Sequence, residues 1–176
     1  FEYENKIYTG SVSGKIDIIE NRTVSNYLDI PEIFKITNTY IASLCVDNNN
    51  NLLISTEDEI FIKKKDSEIP EHLPVPDYSG TKKFANIIKD SEGNIWITSI
   101  DGKLFLYEAK NGSEMYKKEN IKLFSHDDKK IGKFLNAFIE VNNQKWFGFN
   151  EELGISLFKN NDFEVFDFKN KSVSDL

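Results

Sequence analysis

A short pattern that recurs four times along the chain constrains its fold more than any other feature. In each copy an apolar anchor residue lies within a run of β-forming residues, and the anchors are Ile7, Leu53, Trp96 and Trp146. They are 46, 43 and 50 residues apart. A period of about 40–50 residues is typical of a β-propeller, in which each repeat forms one four-stranded blade.

An acidic residue lies six positions before the anchor in three of the copies, at Asp47, Asp90 and Glu140. We expect each acid to occupy the same hairpin corner, between the first and second strands of its repeat. A carboxylate at such a corner can accept hydrogen bonds from the amides of the turn. The pattern therefore predicts a structural role for these acids rather than a catalytic one.

Each repeat contains short apolar runs separated by polar turns, which predicts strands. The third run, such as Leu104 to Tyr107, is apolar on both faces and suits a sheet covered on both sides. A fourth strand is predicted at Ile121 to Phe124 and at Phe163 to Phe168, whereas prolines between Pro70 and Pro76 would keep the fourth strand of the second repeat short. A β-sandwich is the competing all-β fold, but its strands need not repeat their residue types.

The repeat divides the chain into blades at about 1–36, 37–80, 81–130 and 131–170, with 171–176 beginning the next unit. Phe1 falls at the position of the acid, so we expect the first blade to lack its opening strand. Propellers have about 4–8 blades. The sequence therefore predicts an all-β partial β-propeller of about four four-stranded blades, an arc of a larger ring. A closed four-blade ring, in which the last residues supply the missing strand, is the rival.

Composition disfavours two classes of partner. A net charge of −7, with Lys63 to Lys65 as the one notable basic cluster, disfavours nucleic acid. We expect that cluster to be an exposed strand end that discourages edge pairing. No apolar run approaches the roughly 20 residues of a membrane helix, so this segment is not expected to contact a membrane.

Cys45 lies in an apolar strand and is expected to pack as a small hydrophobe.

Signals of catalysis are weak. His72 and His126 are the two histidines, neither belongs to a set with metal-ligand spacing, and both are expected in solvated loops. No nucleophile elbow or phosphate-binding loop is present. Trp96 and Trp146 share their position with aliphatic anchors, which predicts that they fill the space between blades. We therefore expect no catalytic residue, no metal and no cofactor.

Propeller geometry predicts where a ligand would bind. Loops joining the second and third strands emerge at the same end of the blades as the loops joining one blade to the next. Carboxylates, a lysine and an aromatic ring on these loops suit a hydroxyl-rich ligand such as an oligosaccharide. The candidate ligand-binding residues are Tyr78, Lys82, Asp101, Asp128, Glu151 and Glu152. Ordinary polar loops are the alternative interpretation.

The third repeat carries a family resemblance. Residues 84 to 98, followed by Asp101 to Leu104, closely resemble the two-component regulator propeller repeat. The fourth repeat keeps Lys145 to Gly148, whereas the first and second repeats lack the tryptophan. This repeat occurs in extracytoplasmic sensor regions of Bacteroidetes-type hybrid histidine kinases, where two many-bladed propellers precede a β-sandwich, a membrane span and a kinase.

The resemblance implies a non-catalytic module for ligand sensing or signal relay, with glycans as candidate ligands. It also implies a periplasmic or extracellular location, as part of a membrane-anchored protein. Its expected partners are an oligosaccharide or other small ligand, further blades of the same protein and a second copy in a homodimer. Any histidine kinase would belong to the rest of the parent protein. Similar repeats leave two alternatives open. One is a protein-interaction scaffold like the propeller of a type IX secretion accessory protein, and the other is a propeller lyase or hydrolase.

Overall fold

The computed structural model describes residues 1–37, 39–77, 83–150 and 154–166. These residues form four four-stranded antiparallel sheets, and in each sheet the strands follow one another in chain order. A sheet with this simple up-and-down order is the blade of a propeller. The predicted all-β blade array is therefore confirmed.

The sheets are numbered as blades in chain order. Blade 1 comprises β1 Glu2–Tyr3, β2 Lys6–Gly10, β3 Lys15–Glu20 and β4 Thr23–Asp29. Blade 2 comprises β5 Ile41–Val46, β6 Leu52–Thr56, β7 Ile60–Lys63 and β8 Glu71–His72. Blade 3 comprises β9 Phe84–Lys89, β10 Ile95–Ser99, β11 Lys103–Tyr107 and β12 Ile121–Ser125. Blade 4 comprises β13 Leu135–Val141, β14 Gln144–Phe149, β15 Ile155–Lys159 and β16 Asp162–Phe166.

In the described residues, helical structure is confined to the connections between strands. One short helix, α1 Ile30–Phe34, follows blade 1, and its N-cap Asp29 accepts a hydrogen bond from the amide of Glu32 at 3.1 Å. Turns of 3₁₀ helix span Ala109–Glu114, Lys118–Asn120 and His126–Asp128. The apolar periodicity did not predict α1, because a five-residue helix is too short to show a helical repeat.

Three hydrophobic clusters join consecutive blades. Ile16 of blade 1 and Phe61 of blade 2 belong to one cluster, and Leu53 of blade 2 and Phe105 of blade 3 belong to another. Blades 3 and 4 share a cluster around Trp96. Among the described residues no such cluster joins blade 4 to blade 1. The blades therefore form a partial propeller.

The inner blades are covered on both faces, as their sequences predict. Every residue of β6, β10 and β11 is buried. Trp96 is 0% exposed, and its ring lies 5.0 Å from that of Phe147 and 4.8 Å from that of Phe158. The predicted packing of Trp96 between blades is thus confirmed. Trp146 is only partly buried, and it contacts Phe166 of its own blade at 5.8 Å.

The predicted register of the first repeat is wrong by one residue. Tyr8 pairs with Ile18 just as Trp96 pairs with Leu106, so Tyr8 occupies the anchor position. Ile7, which the sequence pattern placed there, is 46% exposed on the opposite face. Because side chains alternate between the faces of a strand, a slip of one residue exchanges the two faces.

The same slip explains a second error. Blade 1 was expected to lack its opening strand, but Glu2 and Tyr3 form the two-residue strand β1, which pairs with β2. With Tyr8 as the anchor, Glu2 falls six residues before it, at the position of the repeated acid. The first blade therefore keeps the end of its opening strand.

Tight turns shape the outer blades. The two-residue hairpin loops Glu4-Asn5 and Asn21-Arg22 of blade 1 have positive φ at both positions, as do Asn142-Asn143 and Asn160-Asn161 of blade 4. This backbone matches the twist of the flanking strands, and asparagine tolerates it better than most residues. In blade 2, β8 has only two residues, which confirms the effect predicted for the prolines around it.

Candidate ligand-binding face

The loops between second and third strands meet the blade-to-blade connections at one end of the molecule. Backbone hydrogen bonds fasten the two sets of loops together. The amide of Ile30 donates to the carbonyl of Gly14 at 3.2 Å, and the amide of His126 donates to the carbonyl of Gly102 at 2.9 Å. Between blades 2 and 3 the amide of Phe84 donates to the carbonyl of Glu57 at 2.6 Å. The end of the blades predicted to bind a ligand is thus a braced surface.

Two predicted site residues, Asp101 and Asp128, lie in the loops that the Gly102–His126 hydrogen bond draws together. Asp101 is partly buried and accepts a hydrogen bond from the hydroxyl of Ser99. Asp128 is exposed at the end of a 3₁₀ turn. Asp128 is therefore the more accessible of the two carboxylates.

A buried lysine organises the loop after β12. The Nζ atom of Lys103, whose side chain is 9% exposed, lies 2.6 Å from Ser125 Oγ and 2.8 Å from Asp127 Oδ2. The hydrogen bond from Lys103 holds the pKa of Asp127 at about 2, well below its ordinary value, and Ser125 contributes in the same direction. Lys15 repeats this contact in blade 1, where it lies 3.0 Å from Asp29. The carboxylates of Asp127 and Asp29 therefore hold these loops in place through their lysine partners.

His126 is not in a plain solvated loop, contrary to the sequence-based expectation. Its side chain is 29% exposed and packs over Gly102, where a Cβ atom would approach Nδ1 to 2.7 Å. Nδ1 is buried and has no hydrogen-bond partner among the described residues. His72 also differs from expectation, since it lies on β8 with its ring 4.9 Å from those of Phe34 and Phe61.

Lys83 and Glu57 form a further ion pair at this end of the molecule. The hydrogen bond to Glu57 raises the pKa of Lys83 above its ordinary value. The other predicted site residues, Tyr78, Lys82, Glu151 and Glu152, lie outside the described residues. Their role in ligand binding therefore remains a prediction.

Asp128 opens onto a cleft between blades 3 and 4. The cleft has a volume of about 290 Å³, and Phe124, Ile131 and Phe163 form its apolar lining. Asp128 and Lys130 stand at its polar side. Sequence reasoning missed this cleft, because it depends on how β12 and the following loop face β16. The cleft therefore places the partly exposed ring of Phe124 beside hydrogen-bonding groups.

The repeated acids lie at the opposite end of the blades. Asp47 accepts hydrogen bonds from the amides of Asn49 and Asn51, both at 2.8 Å. Asp90 accepts from the amides of Glu92 and Asn94, at 3.1 and 2.8 Å. The predicted turn-capping role is confirmed for these two acids.

The prediction for Glu140 is wrong. Glu140 lies within β13 and pairs with Lys145, because the blade 4 hairpin has only a two-residue loop. Its carboxylate instead accepts hydrogen bonds from Ser91 of blade 3, from the amide at 2.7 Å and from the hydroxyl at 3.1 Å. Glu140 therefore joins two blades rather than capping its own turn.

Lys145 is the centre of this junction. Its Nζ atom lies 2.9 Å from Glu92, 3.5 Å from Asp90 and 3.9 Å from Glu140. Burial alone would lower the pKa of Lys145, but the three carboxylates outweigh burial and raise it. The side chain of Asp90 is fully buried and also accepts a hydrogen bond from Trp96 Nε1 at 2.9 Å. This ion cluster closes one end of the interface between blades 3 and 4.

The described part of the chain also bears on metal binding, membrane spans and the single cysteine. Within it, no group of three or more His, Cys, Asp or Glu side chains is arranged to hold a metal ion. No helix in these ranges is long and apolar enough to cross a bilayer. Burial raises the pKa of the Cys45 thiol to about 11, as suits the small packed side chain that was predicted.

Solved structures similar to this chain come from proteins with different roles. No protein-family model matches the chain, and no curated protein matches its sequence. Its structure is similar to the extracellular domain of a protein described as a hybrid two component system, BT3049 from B. thetaiotaomicron. The TM-score is 0.71 at 20% identity, over 98% of this chain and 23% of that one.

Two further similar structures have other functions. A streptogramin B lyase matches with a TM-score of 0.66 at 15% identity, over 93% of this chain and 51% of that one. PorZ, a surface component of the type-IX secretion system of Porphyromonas gingivalis, matches with a TM-score of 0.64 at 16% identity, over 96% of this chain and 26% of that one. The chain therefore spans from about a quarter to half the length of these proteins, and what it shares with them is the β-propeller fold.

Proposed function

We propose that the chain is a propeller segment of an extracytoplasmic two-component sensor, where it binds a saccharide or relays its binding without catalysing a reaction. The observation that carries this proposal is the overlay of 98% of the chain on the extracellular domain of a hybrid two component system. The tryptophan-anchored repeat at residues 84 to 104 supports it independently, since it resembles the propeller repeat of such sensors.

The cleft between blades 3 and 4 is the proposed binding site. Phe124 is partly exposed and offers ring surface on which the apolar face of a sugar can stack, while the buried Phe163 packs beside it. The Asp128 carboxylate makes no hydrogen bond or ion pair within the described residues, so it can accept hydrogen bonds from sugar hydroxyls. Lys130 is paired with Asp162 across the cleft, and a ligand would enter beside this pair.

A signal could pass from this cleft to the rest of the blade array through rigid contacts. Phe124 and Phe163 lie 5.1 Å apart, and both pack against the buried Trp96. Trp96 in turn donates to Asp90 in the ion cluster around Lys145. A ligand that shifts the two phenylalanines would therefore act on the interface between two blades.

The experiment is a glycan array followed by calorimetric titration of the oligosaccharides that bind. We expect saturable binding of a saccharide that is recovered chemically unchanged, and weaker binding to Asp128→Asn. Glu119→Gln is the matched control, because Glu119 is an exposed acid outside the cleft. Cleavage of the saccharide would favour the lyase or hydrolase alternative. Absence of saccharide binding, together with a protein ligand, would favour the secretion-type scaffold.

A further inference from the structure

A second cleft, at the junction of blades 1 and 2, has a different chemistry. It measures about 130 Å³ and is lined by three tyrosines, Tyr3, Tyr8 and Tyr27. Buried Val46 and Leu52 also line it, and Lys63 and Lys65 add positive charge. A closed cavity of about 150 Å³ holds one benzene ring, so this slightly smaller but open cleft can take up most of one six-membered ring without enclosing it.

The cleft exists because one aromatic position of the repeat holds a lysine. Lys63 pairs with Leu52 in blade 2, as Phe158 pairs with Lys145 in blade 4 and Tyr107 pairs with Ile95 in blade 3. Phe158 fills the junction of blades 3 and 4 by packing 4.8 Å from Trp96. At the junction of blades 1 and 2 the lysine leaves that space open.

The cations in this cleft are available to a ligand. Lys63 Nζ lies 5.4 Å from the ring centre of Tyr27, close enough for a cation–π interaction. Within the described residues, neither Lys63 nor Lys65 forms an ion pair through its side chain, whereas Lys64 between them pairs with Glu71 at 2.5 Å. The expectation that the whole cluster only protects a strand end is therefore too simple, because Lys63 turns toward blade 1.

The tyrosines supply both ring surface and donors. The rings of Tyr8 and Tyr27 meet edge to face, 5.6 Å apart. Neither hydroxyl makes a hydrogen bond to the protein within the described residues, so both can donate to a ligand. Glu4 is the acidic residue that lines the cleft. One of its carboxylate oxygens accepts a hydrogen bond from the Tyr3 hydroxyl at 2.9 Å.

We propose that the cleft between Tyr8, Tyr27 and Lys63 binds one six-membered ring that carries a carboxylate. The ring packs on the tyrosines, and the carboxylate pairs with Lys63 and Lys65. Two sources present this chemistry, the uronic acid unit of an acidic glycan and a free aromatic acid. The inference does not rest on the proposed sensor role or on the cleft between blades 3 and 4, because it uses only the contacts at the first blade junction.

The test is a titration of the ¹⁵N-labelled chain with glucuronate and with benzoate, followed by NMR. Glucose and benzyl alcohol are the neutral counterparts. We expect the largest shift changes at Tyr8, Tyr27 and Lys63, with a Kd of about 1 mM or tighter for at least one acid. The acid should bind at least about tenfold more tightly than its neutral counterpart, the difference that about 1.4 kcal/mol gives. Preference for one acid identifies the source.

Two variants complete the test. Lys63→Gln should weaken binding of the acid at least about tenfold, whereas the neighbouring Lys64→Gln should leave it unchanged. Dispersed spectra of both variants verify that they are folded. The proposal is overturned if neither acid binds saturably, if the neutral counterparts bind equally well, if the shift changes lie elsewhere, or if the two variants behave alike.

Discussion

At the residue scale, the two tryptophans show that one repeat position can serve two purposes. Trp96 is enclosed by the rings of the next blade and donates to the buried carboxylate of Asp90. Trp146 occupies the equivalent position in blade 4, where the described residues supply only Phe166 as an aromatic neighbour. The same residue type is a packed core group in one blade and a partly exposed ring in the other.

Replacing Trp96 by alanine should destabilise the chain by about 3–5 kcal/mol, because it removes a buried ring and leaves a cavity. Trp146→Ala is the matched control and should cost clearly less, since its ring is only partly buried. Urea unfolding followed by circular dichroism measures both free energies of unfolding. Equal losses for the two variants would show that burial does not distinguish them.

Asp127 gives a prediction about pH. Its folded pKa of about 2 lies below the ordinary value, so this carboxylate stabilises the fold at pH values above about 4. That contribution disappears as the pH falls through about 2. Lys103→Met should raise the pKa of Asp127 toward its ordinary value, whereas Lys103→Arg should keep it low. A ¹³C NMR titration of the carboxyl carbon tests this, and an unchanged pKa in Lys103→Met would refute the role of the lysine.

At the element scale, the loops depend on backbone conformations that only some residues accept. Gly102 has φ of +82°, and the imidazole of His126 packs where its Cβ would lie. Gly154 occupies the corresponding loop of blade 4 with φ of +61°, but no atom of the described residues lies within 4 Å of its Cβ position. An alanine at either position would be strained by the positive φ, but only at Gly102 would its methyl group also clash with His126 among the described residues.

Gly154→Ala should cost about 1–2 kcal/mol, the strain of a left-handed residue. Gly102→Ala should cost more, because the added methyl group also displaces His126 from the loop between β10 and β11. Thermal and urea unfolding give the two losses, and the NMR shifts of the His126 ring report the displacement. If Gly102→Ala costs no more than the control, the packing of His126 on Gly102 does not stabilise this loop.

The elements also show which features could be predicted from the sequence. Strand positions and the hairpin caps Asp47 and Asp90 follow from local patterns, because alternation and turn chemistry act over a few residues. Ile7 was assigned to the anchor position instead of Tyr8 because both are apolar neighbours, and only the pairing with β3 separates them. Glu140 was misplaced for a similar reason, since the two-residue turn beside it shifts the spacing by one residue.

Tertiary contacts could not be predicted in this way. Tyr116, in the long connection between β11 and β12, donates to Asp47 of another blade at 2.7 Å. The two residues are 69 positions apart, and the repeat has no counterpart that would indicate the contact. The clefts beside Asp128 and Lys63 likewise arise between blades. Asp128 was chosen from its loop position alone and its role in ligand binding stays a prediction, whereas the phenylalanines beside it come from two different blades.

At the scale of the whole molecule, stability is expected to decrease from the inner blades to the outer ones. In repeat arrays each unit is stabilised mainly by its neighbours. Strands β6 and β10 are buried throughout and have a blade on each side, whereas most residues of β2 are exposed. Amide hydrogen exchange should therefore be slowest in β6 and β10 and faster in β2 and β14. Uniform protection across all four blades would contradict this gradient.

The two outer faces of the array differ in chemistry. In blade 1 the outer face carries Asp17, paired with Asn26 at 3.2 Å, where blade 3 has buried Phe105. In blade 4 the outer face carries Trp146 and Leu157, the equivalents of Trp96 and Leu106. To lengthen this array by protein engineering, new blades should therefore be added after blade 4, where Trp146 and Leu157 are partly exposed among the described residues, rather than before blade 1, where an added blade would have to cover the Asp17 carboxylate.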